Sequence, residues 1–399
     1  MHFKKIITAR ENIKEVINKT PLMYSHLFSD LTGAKVYMKC ENLQVTGAYK
    51  IRGAFNKIKS LTAEEKAKGV VCSSAGNHAQ GVAYASNILG VKSTIVMPNT
   101  TPYLKVKSTK NYGGKVVLHG SCYDDAYLHA KEIELEEGSV FIHPFDDINI
   151  IYGQGTIALE IFEDLKEVDY IVCPIGGGGL ISGISLAAKN INPNIKIIGV
   201  QAEGANAMEL SFKCGTLNSI LNVSTIADGI AVKTPGNITY GIIKDYVDDI
   251  ITVTDKEISD AFLILCEKHK LMVEASGAAS LAALKKLNIK DKTVVPIISG
   301  GNIDILTISS LINDGLVENG RLFCFSVELP DSPGQLNLIT KLFTDLKANV
   351  VKLEHNHYKA SNRLKNVLLE VTVETNGLEH IELIKNSLFE NGYNIVKMY

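Results

Sequence analysis

Between residues 69 and 298 the chain repeats one rhythm, and that rhythm leaves few folds open. Short runs of branched apolar residues at 69–73, 93–97, 115–118, 170–173, 195–201 and 293–298 alternate with longer stretches at 77–89, 103–112, 122–137, 153–165, 180–189 and 257–269. In the longer stretches apolar residues recur every three or four positions, which is the helical period. The short runs are apolar on both faces, as strands covered from both sides are. Strand and helix in alternation fold as a parallel sheet with helices on its two faces. Upstream, residues 1–20 read as a short amphipathic helix ending in a turn at Thr20-Pro21, and 36–39 read as a strand. Residues 49–61 read as a helix with Ile51, Ala54, Phe55 and Ile58 on one stripe.

The rhythm breaks near residue 309. Asn313-Asp314-Gly315 and Asn319-Gly320 are turn formers, so 309–321 reads as a boundary. It separates a domain of residues 1–315, with a smaller subdomain at about 40–145, from a second domain at 322–399. In the second domain, strands at 322–329, 350–358, 367–373 and 393–398 and helices at 332–346 and 378–390 follow the β-α-β-β-α-β order of a ferredoxin-like unit. Pro333 suits the first position of its helix. A length of 399 residues is in keeping with two or three domains.

Composition narrows the function classes. Lys and Arg number 41 against 43 Asp and Glu, well mixed along the chain. That balance argues against a nucleic-acid partner, which calls for a basic face. No stretch of about 18 apolar residues predicts a membrane span, and the N-terminus lacks the apolar run of a secretory leader. The seven cysteines are scattered without a C-x-x-C pair. This reads as reduced thiols in a reducing compartment, so the expected location is cytoplasmic.

Four stretches stand out chemically. Thr46-Gly47-Ala48-Tyr49-Lys50 sets a lysine near the start of a helix, where its amine could form a Schiff base. Ser73-Ser74-Ala75-Gly76-Asn77-His78 is a polar turn leading into a helix. Gly176-Gly177-Gly178-Gly179-Leu180 follows a strand and opens a helix. Glycines there let backbone N–H groups approach an anion, which the helix N-terminus favours. The run has neither the G-x-G-x-x-G register nor a following Gly-Lys-Ser/Thr, so it is not a dinucleotide fingerprint or a P-loop. Close helix–strand packing could account for one or two of its glycines. Ser299-Gly300-Gly301-Asn302 ends the last strand of the series. Ser299 can donate or accept a hydrogen bond, or serve as a helix N-cap.

Together, in this order, the four stretches resemble the pyridoxal-phosphate (PLP) enzymes of fold type II, the tryptophan synthase β-like α/β class with open, mostly parallel sheets. Within that class the closest likeness is to the threonine dehydratases (threonine ammonia-lyases) that carry one C-terminal ACT domain. The likeness runs from about residue 18 to the C-terminus, including the turn at Leu329 to Gly334.

The resemblance implies a set of roles. Lys50 would carry the cofactor and act on the substrate Cα proton. Tyr49 would lie beside the ring, and Asn77 would meet the ring hydroxyl. Gly176, Gly177, Gly178, Gly179 and Leu180 would hold the phosphate, and Ser299 would face the pyridine nitrogen. The turn of Ser74, Ala75, Gly76, Asn77 and His78 would grip the substrate carboxylate, with His78 structural rather than a base. Related serine racemases have a serine at the position of Ala75. Alanine has no proton to transfer, which favours elimination over racemisation. Glu203, Glu209 and the Ala207 carbonyl match a cation site of some relatives, divalent or monovalent, although Glu209 is longer than the acid found there. Glu203 to Glu209 also reads as a solvated helix start. The implied reaction is β-elimination of L-threonine, and of L-serine, to 2-oxobutanoate or pyruvate and ammonia. An amino acid or a nucleotide would act as effector in a homodimer or homotetramer serving isoleucine biosynthesis or threonine catabolism. The competing readings are serine racemase, another fold type II β-replacement enzyme, and a non-catalytic amino-acid sensor.

Overall fold

The structure, a computed structural model, describes residues 1–362 and 364–398. Its strands, in chain order, are β1 (Leu22–Tyr24), β2 (Lys35–Cys40), β3 (Val70–Ser73), β4 (Ser93–Met97), β5 (Lys115–Leu118), β6 (Val140–Phe141), β7 (Tyr170–Pro174), β8 (Lys196–Ala202), β9 (Asp249–Val253), β10 (Thr293–Ile298), β11 (Leu322–Pro330), β12 (Asn349–Asn356), β13 (Asn366–Glu374) and β14 (Ile395–Met398). The chain divides into two compact units, Met1–Ile303 and Asp304–Tyr399.

In the first unit, six strands form a sheet in the order β1-β2-β10-β7-β8-β9. The edge strand β1 runs antiparallel to β2, and the other neighbours are parallel. A second sheet, β5-β4-β3-β6, is parallel throughout. This is the open, mostly parallel α/β architecture expected from the alternating pattern. Ile171, Cys173, Ile197, Val295 and Ile297 lie in the core of the larger sheet. Val70, Cys72, Ile95 and Met97 lie in the core of the smaller one. Among the described residues no helix is long and apolar enough to cross a membrane.

The second unit holds an antiparallel sheet in the order β12-β13-β11-β14. With helices Gln335–Asp345 and Leu378–Glu390 it has the β-α-β-β-α-β sequence of a ferredoxin-like fold. Phe325, Val327, Ile339, Phe343, Val371 and Ile384 form its own core.

Three helices of the first unit are joined by glycine crossings. A Cβ on Gly53, in helix Lys50–Lys59, would lie 2.8 Å from the Ile150 carbonyl oxygen of helix Ile148–Asp164. A Cβ on Gly153 would lie 2.6 Å from Gly53 Cα. A Cβ on Gly183, in helix Gly179–Ile191, would lie 2.3 Å from the Ile151 carbonyl, again on helix Ile148–Asp164. Helix Ile148–Asp164 therefore meets the lysine helix and the glycine-loop helix backbone to backbone. A buried charge network ties two of these helices, Lys50–Lys59 and Ile148–Asp164, to β2 and the Glu41 turn after it. Arg52 donates to both oxygens of Glu41 at 2.7 and 2.8 Å and to both oxygens of Glu160 at 2.6 and 2.9 Å. Lys39 donates to Glu160 at 2.6 Å. Two cations and two carboxylates, all with hydrogen-bonded partners, make burial of these charges tolerable.

Several element boundaries differ from the sequence expectation. The stretch 309–321 is not a turn-rich boundary but most of helix Ile305–Glu318, with Ile308, Leu311 and Gly315 buried along one face. That periodic burial outweighs the turn propensity of Asn313-Asp314-Gly315. The N-terminal helix stops at Ile13, short of residue 20. Gln44 takes the Asn18 N–H at 2.8 Å and donates to the Asn18 carbonyl at 2.8 Å, holding that segment off the helix. Helix Ile148–Asp164 begins before residue 153 because Asp147 caps it, accepting from the Asn149 and Ile150 N–H groups. The helix expected at 257–269 is α-helical over Asp255–Ile264 and widens into a π-turn at Leu265–His269.

Candidate active site

The lysine turn and the late serine turn are built as one piece. The Tyr49 N–H donates to the Ser299 carbonyl at 3.1 Å, and the Gly301 N–H donates to the Gly47 carbonyl at 2.8 Å. Gly47 has φ +72°, and a Cβ there would lie 2.3 Å from Asn302 Oδ1. Only glycine fits both the backbone and the neighbour. Lys50 opens its helix. Its Nζ donates to the Pro144 carbonyl at 2.8 Å and lies 5.4 Å from the centre of the Tyr49 ring. Burial lowers the Lys50 amine to about 8 against the opposing pull of Glu274. An amine with that pKa has a sizeable neutral fraction near pH 7, which a nucleophile needs. Burial also raises the Tyr49 phenol, so Tyr49 is a neutral wall. Ser299 is buried and caps no helix; the next helix starts at Ile305 behind Asp304.

From the smaller sheet, β3 delivers the turn of Ser74 to His78, and Asn77 opens helix Asn77–Ile88. Ser74 Oγ accepts from the Gly76 N–H at 3.3 Å. Gly76 has open space where a Cβ would stand, so the turn leaves room beside it. His78 is buried, and its Nε2 lies 2.8 Å from the Ile142 carbonyl, to which it donates. Burial, with Lys50 nearby, drives the imidazole down to about 3. The imidazole is therefore neutral and donates to a backbone carbonyl. Asn77 Nδ2 donates to Glu274 Oε1 at 2.8 Å, and Asn77 Oδ1 accepts from Asn302 at 2.9 Å.

The glycine run turns at Gly178, φ +97°, straight into helix Gly179–Ile191. Thr239 Oγ1 donates to the Gly177 carbonyl at 2.6 Å. Asp146 accepts from the N–H groups of Asn237, Ile238 and Thr239 and so fixes the start of helix Asn237–Tyr246. A Cβ on Gly177 would lie 2.3 Å from Phe145 Cγ, the residue after the carbonyl that holds Lys50. Through His143-Pro144-Phe145, the lysine and the glycine run share one wall. Among the described residues no acceptor takes the N–H groups of Gly176, Gly177, Gly178, Gly179 or Leu180. Unclaimed amides at a helix N-terminus are the donor set a phosphate requires. With a neutralisable amine beside the same wall, the residues fit pyridoxal phosphate.

Of the residues matched to a cation site, Glu209 and the Ala207 carbonyl have partners within the chain. Glu209 accepts from Lys213 and, at 3.2 Å, from Asn206 Nδ2, and the Ala207 carbonyl accepts from Ser211 at 2.7 Å. Glu203 is exposed. Among the described residues no group of three or more His, Cys, Asp and Glu side chains could hold one.

Glu274 is the site residue that sequence reasoning missed. It is buried behind Asn77 at the head of helix Ala275–Ala282, and its N–H donates to the Gly300 carbonyl at 3.0 Å. Burial, with Asp228 nearby, raises its carboxyl to about 8. The available signal was one acid in the apolar, small-residue run Leu271 to Leu284.

Comparison with known proteins bears on this geometry. The family described as pyridoxal-phosphate dependent enzyme matches residues 13–300. The L-threonine ammonia-lyase of Thermotoga maritima is 45% identical over 388 residues, 97% of each chain. Among solved structures, the processed form of threonine deaminase isoform 2 from Solanum lycopersicum superimposes with a TM-score of 0.76 at 38% identity, covering 78% of this chain and 86% of that one. Maize serine racemase superimposes with a TM-score of 0.75 at 38% identity, covering 79% of this chain and 98% of that one.

Proposed function

This chain belongs to the family of pyridoxal-phosphate dependent enzymes, and we propose that its reaction is the deamination of L-threonine to 2-oxobutanoate and ammonia. The observation that carries the reading is the Lys50 amine, lowered to about 8 and held by the Pro144 carbonyl, on the same wall as a glycine run with unclaimed amides. When bound, pyridoxal phosphate supplies an electron sink for the pair left behind as the substrate Cα–H bond breaks. The chain's own groups do the rest. Lys50 holds the cofactor and then takes the Cα proton on Nζ. The amides of Gly176 to Leu180 hold the phosphate, Asn77 meets the ring hydroxyl, and Tyr49 and Ser299 flank the ring. The turn of Ser74 to His78 binds the substrate carboxylate. The β-hydroxyl leaves as water with the proton that Nζ carries, and a second water enters as the nitrogen departs as ammonia. L-Serine lacks one methyl group, worth only about 1–3 kcal/mol of discrimination, so it reacts too, giving pyruvate.

Ala75 favours elimination over racemisation, because it offers no proton to the second face of the substrate. We further assign the second unit to regulation as an ACT-like domain responding to an amino acid or a nucleotide, in a cytoplasmic homo-oligomer. Its ferredoxin-like order supports that reading.

The test is 2-oxobutanoate release from L-threonine by the purified protein and by Lys50→Ala. The parent turns over, and the variant loses at least about a thousandfold, as loss of a covalent catalytic group implies. Full activity in Lys50→Ala refutes the assignment. D-serine from L-serine, with little keto acid, would instead establish the racemase.

A further inference from the structure

An asparagine amide presents a donor on one side and an acceptor on the other, and only its neighbours decide which way round it sits. At Asn77 the neighbours decide it. Asn302 Nδ2 donates to the Thr46 backbone carbonyl at 2.7 Å. That carbonyl can only accept, so Asn302 must present its NH2 there. The same NH2 donates to Asn77 Oδ1 at 2.9 Å. Asn77 Oδ1 is thereby an acceptor, and its Nδ2 points the other way, donating to Glu274 Oε1 at 2.8 Å. One hydrogen on Nδ2 is left for a further acceptor. The ends of the relay are fixed. Asn302 Oδ1 occupies the space that a Cβ on Gly47 would take, and Glu274 Oε1 lies 2.6 Å from where a Cβ on Gly300 would be. Glu274 is also bonded through its N–H to the Gly300 carbonyl.

We infer that Glu274 and Asn302 are positioning residues that lock the Asn77 amide as a hydrogen-bond donor toward the cofactor ring. The inference rests on the placement of Asn77 at the ring hydroxyl proposed above. The relay starts at Thr46, four residues before Lys50, and ends on Glu274, which anchors the loop after Ser299. A single chain of hydrogen bonds thus sets the polarity at the ring and ties the lysine turn to the serine turn. The role of Glu274 is that of an acceptor and does not require its charge, in keeping with burial raising its carboxyl to about 8.

The test reads the cofactor rather than turnover: the visible absorption band of each purified holoenzyme, and the dissociation constant for pyridoxal phosphate. Asn77→Ala shifts the band and weakens cofactor binding about tenfold or more. Glu274→Ala and Asn302→Ala shift the band in the same direction, with at least about threefold weaker binding. Glu274→Gln keeps an acceptor oxygen and restores both readouts to within about twofold of the parent, whereas a purely structural acid has no reason to be rescued spectroscopically. If Glu274→Ala does not fold, Asn302→Ala reads the same relay from its other end. A shifted band in Asn77→Ala with unmoved bands in Glu274→Ala and Asn302→Ala overturns the relay alone. Glu274→Gln as impaired as Glu274→Ala also overturns it. An unmoved band in Asn77→Ala overturns the placement of Asn77 and the relay with it.

Discussion

In the Schiff-base role proposed above, Lys50 is useful only when its amine is neutral, so on that reading its pKa sets when the protein can take up its cofactor. Burial lowers the amine from the usual 10.5 to about 8. The rate at which apoprotein incorporates pyridoxal phosphate should climb as pH rises and reach half its maximum near pH 8; a rate still climbing steeply at pH 10 would mean an ordinary lysine. His78 works in the opposite sense. Its imidazole falls from 6.5 to about 3 on folding, so the unfolded chain takes a proton first as pH drops. The stability His78 contributes is complete above pH 6.5 and is lost as pH falls from there toward 3, at up to about 1.4 kcal/mol per pH unit. Glutamine can still donate to the Ile142 carbonyl. Urea titrations across that range should show a shallower acid dependence for His78→Gln than for the parent, and equal slopes would count against a neutral buried imidazole. Lys50, the glycine run and the Asn77 turn were legible in the sequence because each is a local motif. Glu274 was not, because its meaning comes from contact with Asn77 and Gly300, which only the fold brings to it.

The distance between lysine and glycine run is set by elements and not by the motifs themselves. Helix Ile148–Asp164 touches the lysine helix through Gly53 and Gly153, and the glycine-loop helix through Gly155 and Gly183. A methyl on Gly153 meets the Arg52 carbonyl at 2.5 Å, and backbone cannot move aside as a side chain can. Gly153→Ala should therefore cost about 1–3 kcal/mol, as overpacking does, and weaken cofactor binding as the two helices separate. Gly241 provides the contrast. It lies in helix Asn237–Tyr246 with nothing within 4 Å of a Cβ. Gly241→Ala should stabilise by about 0.5–1 kcal/mol, the helix propensity gain alone, without touching cofactor affinity. Denaturant midpoints and cofactor dissociation constants for the two variants check both signs; destabilisation of equal size in each would remove the crossing from the explanation. The helical period was readable in all three helices. The crossings were not, since a glycine inside a helix reads as a propensity cost until its partner, about a hundred residues away in the chain for Gly53 and Gly153, is known. Helix Ile305–Glu318 was missed for a related reason: Asn-Asp-Gly is a turn in isolation and a helix turn when Ile308 and Leu311 are buried beside it.

At the scale of the whole chain, the candidate site falls within one of the two units. The described site residues all lie within Met1–Ile303, and the family match ends at residue 300. That unit has cores on both of its sheets, and the second unit has its own around Phe325 and Phe343. A ferredoxin-like fold does not by itself say what it is for, so the regulatory assignment must stand on a response and not on topology. A protein ending at Ile303 should fold and still release 2-oxobutanoate from threonine within a few-fold of the full chain, because nothing in the proposed chemistry lies beyond that point. It should lose any change in activity that isoleucine, valine or a nucleotide causes in the full chain. The sign of that change then distinguishes the roles: inhibition by isoleucine fits a step supplying branched-chain synthesis, and activation by a nucleotide fits degradation. A truncated protein that kept the full response would move the effector site into the first unit and leave the second without a regulatory function. Loss of catalysis together with the response, in a protein still folded and still holding its cofactor, would show that the second unit supports turnover itself.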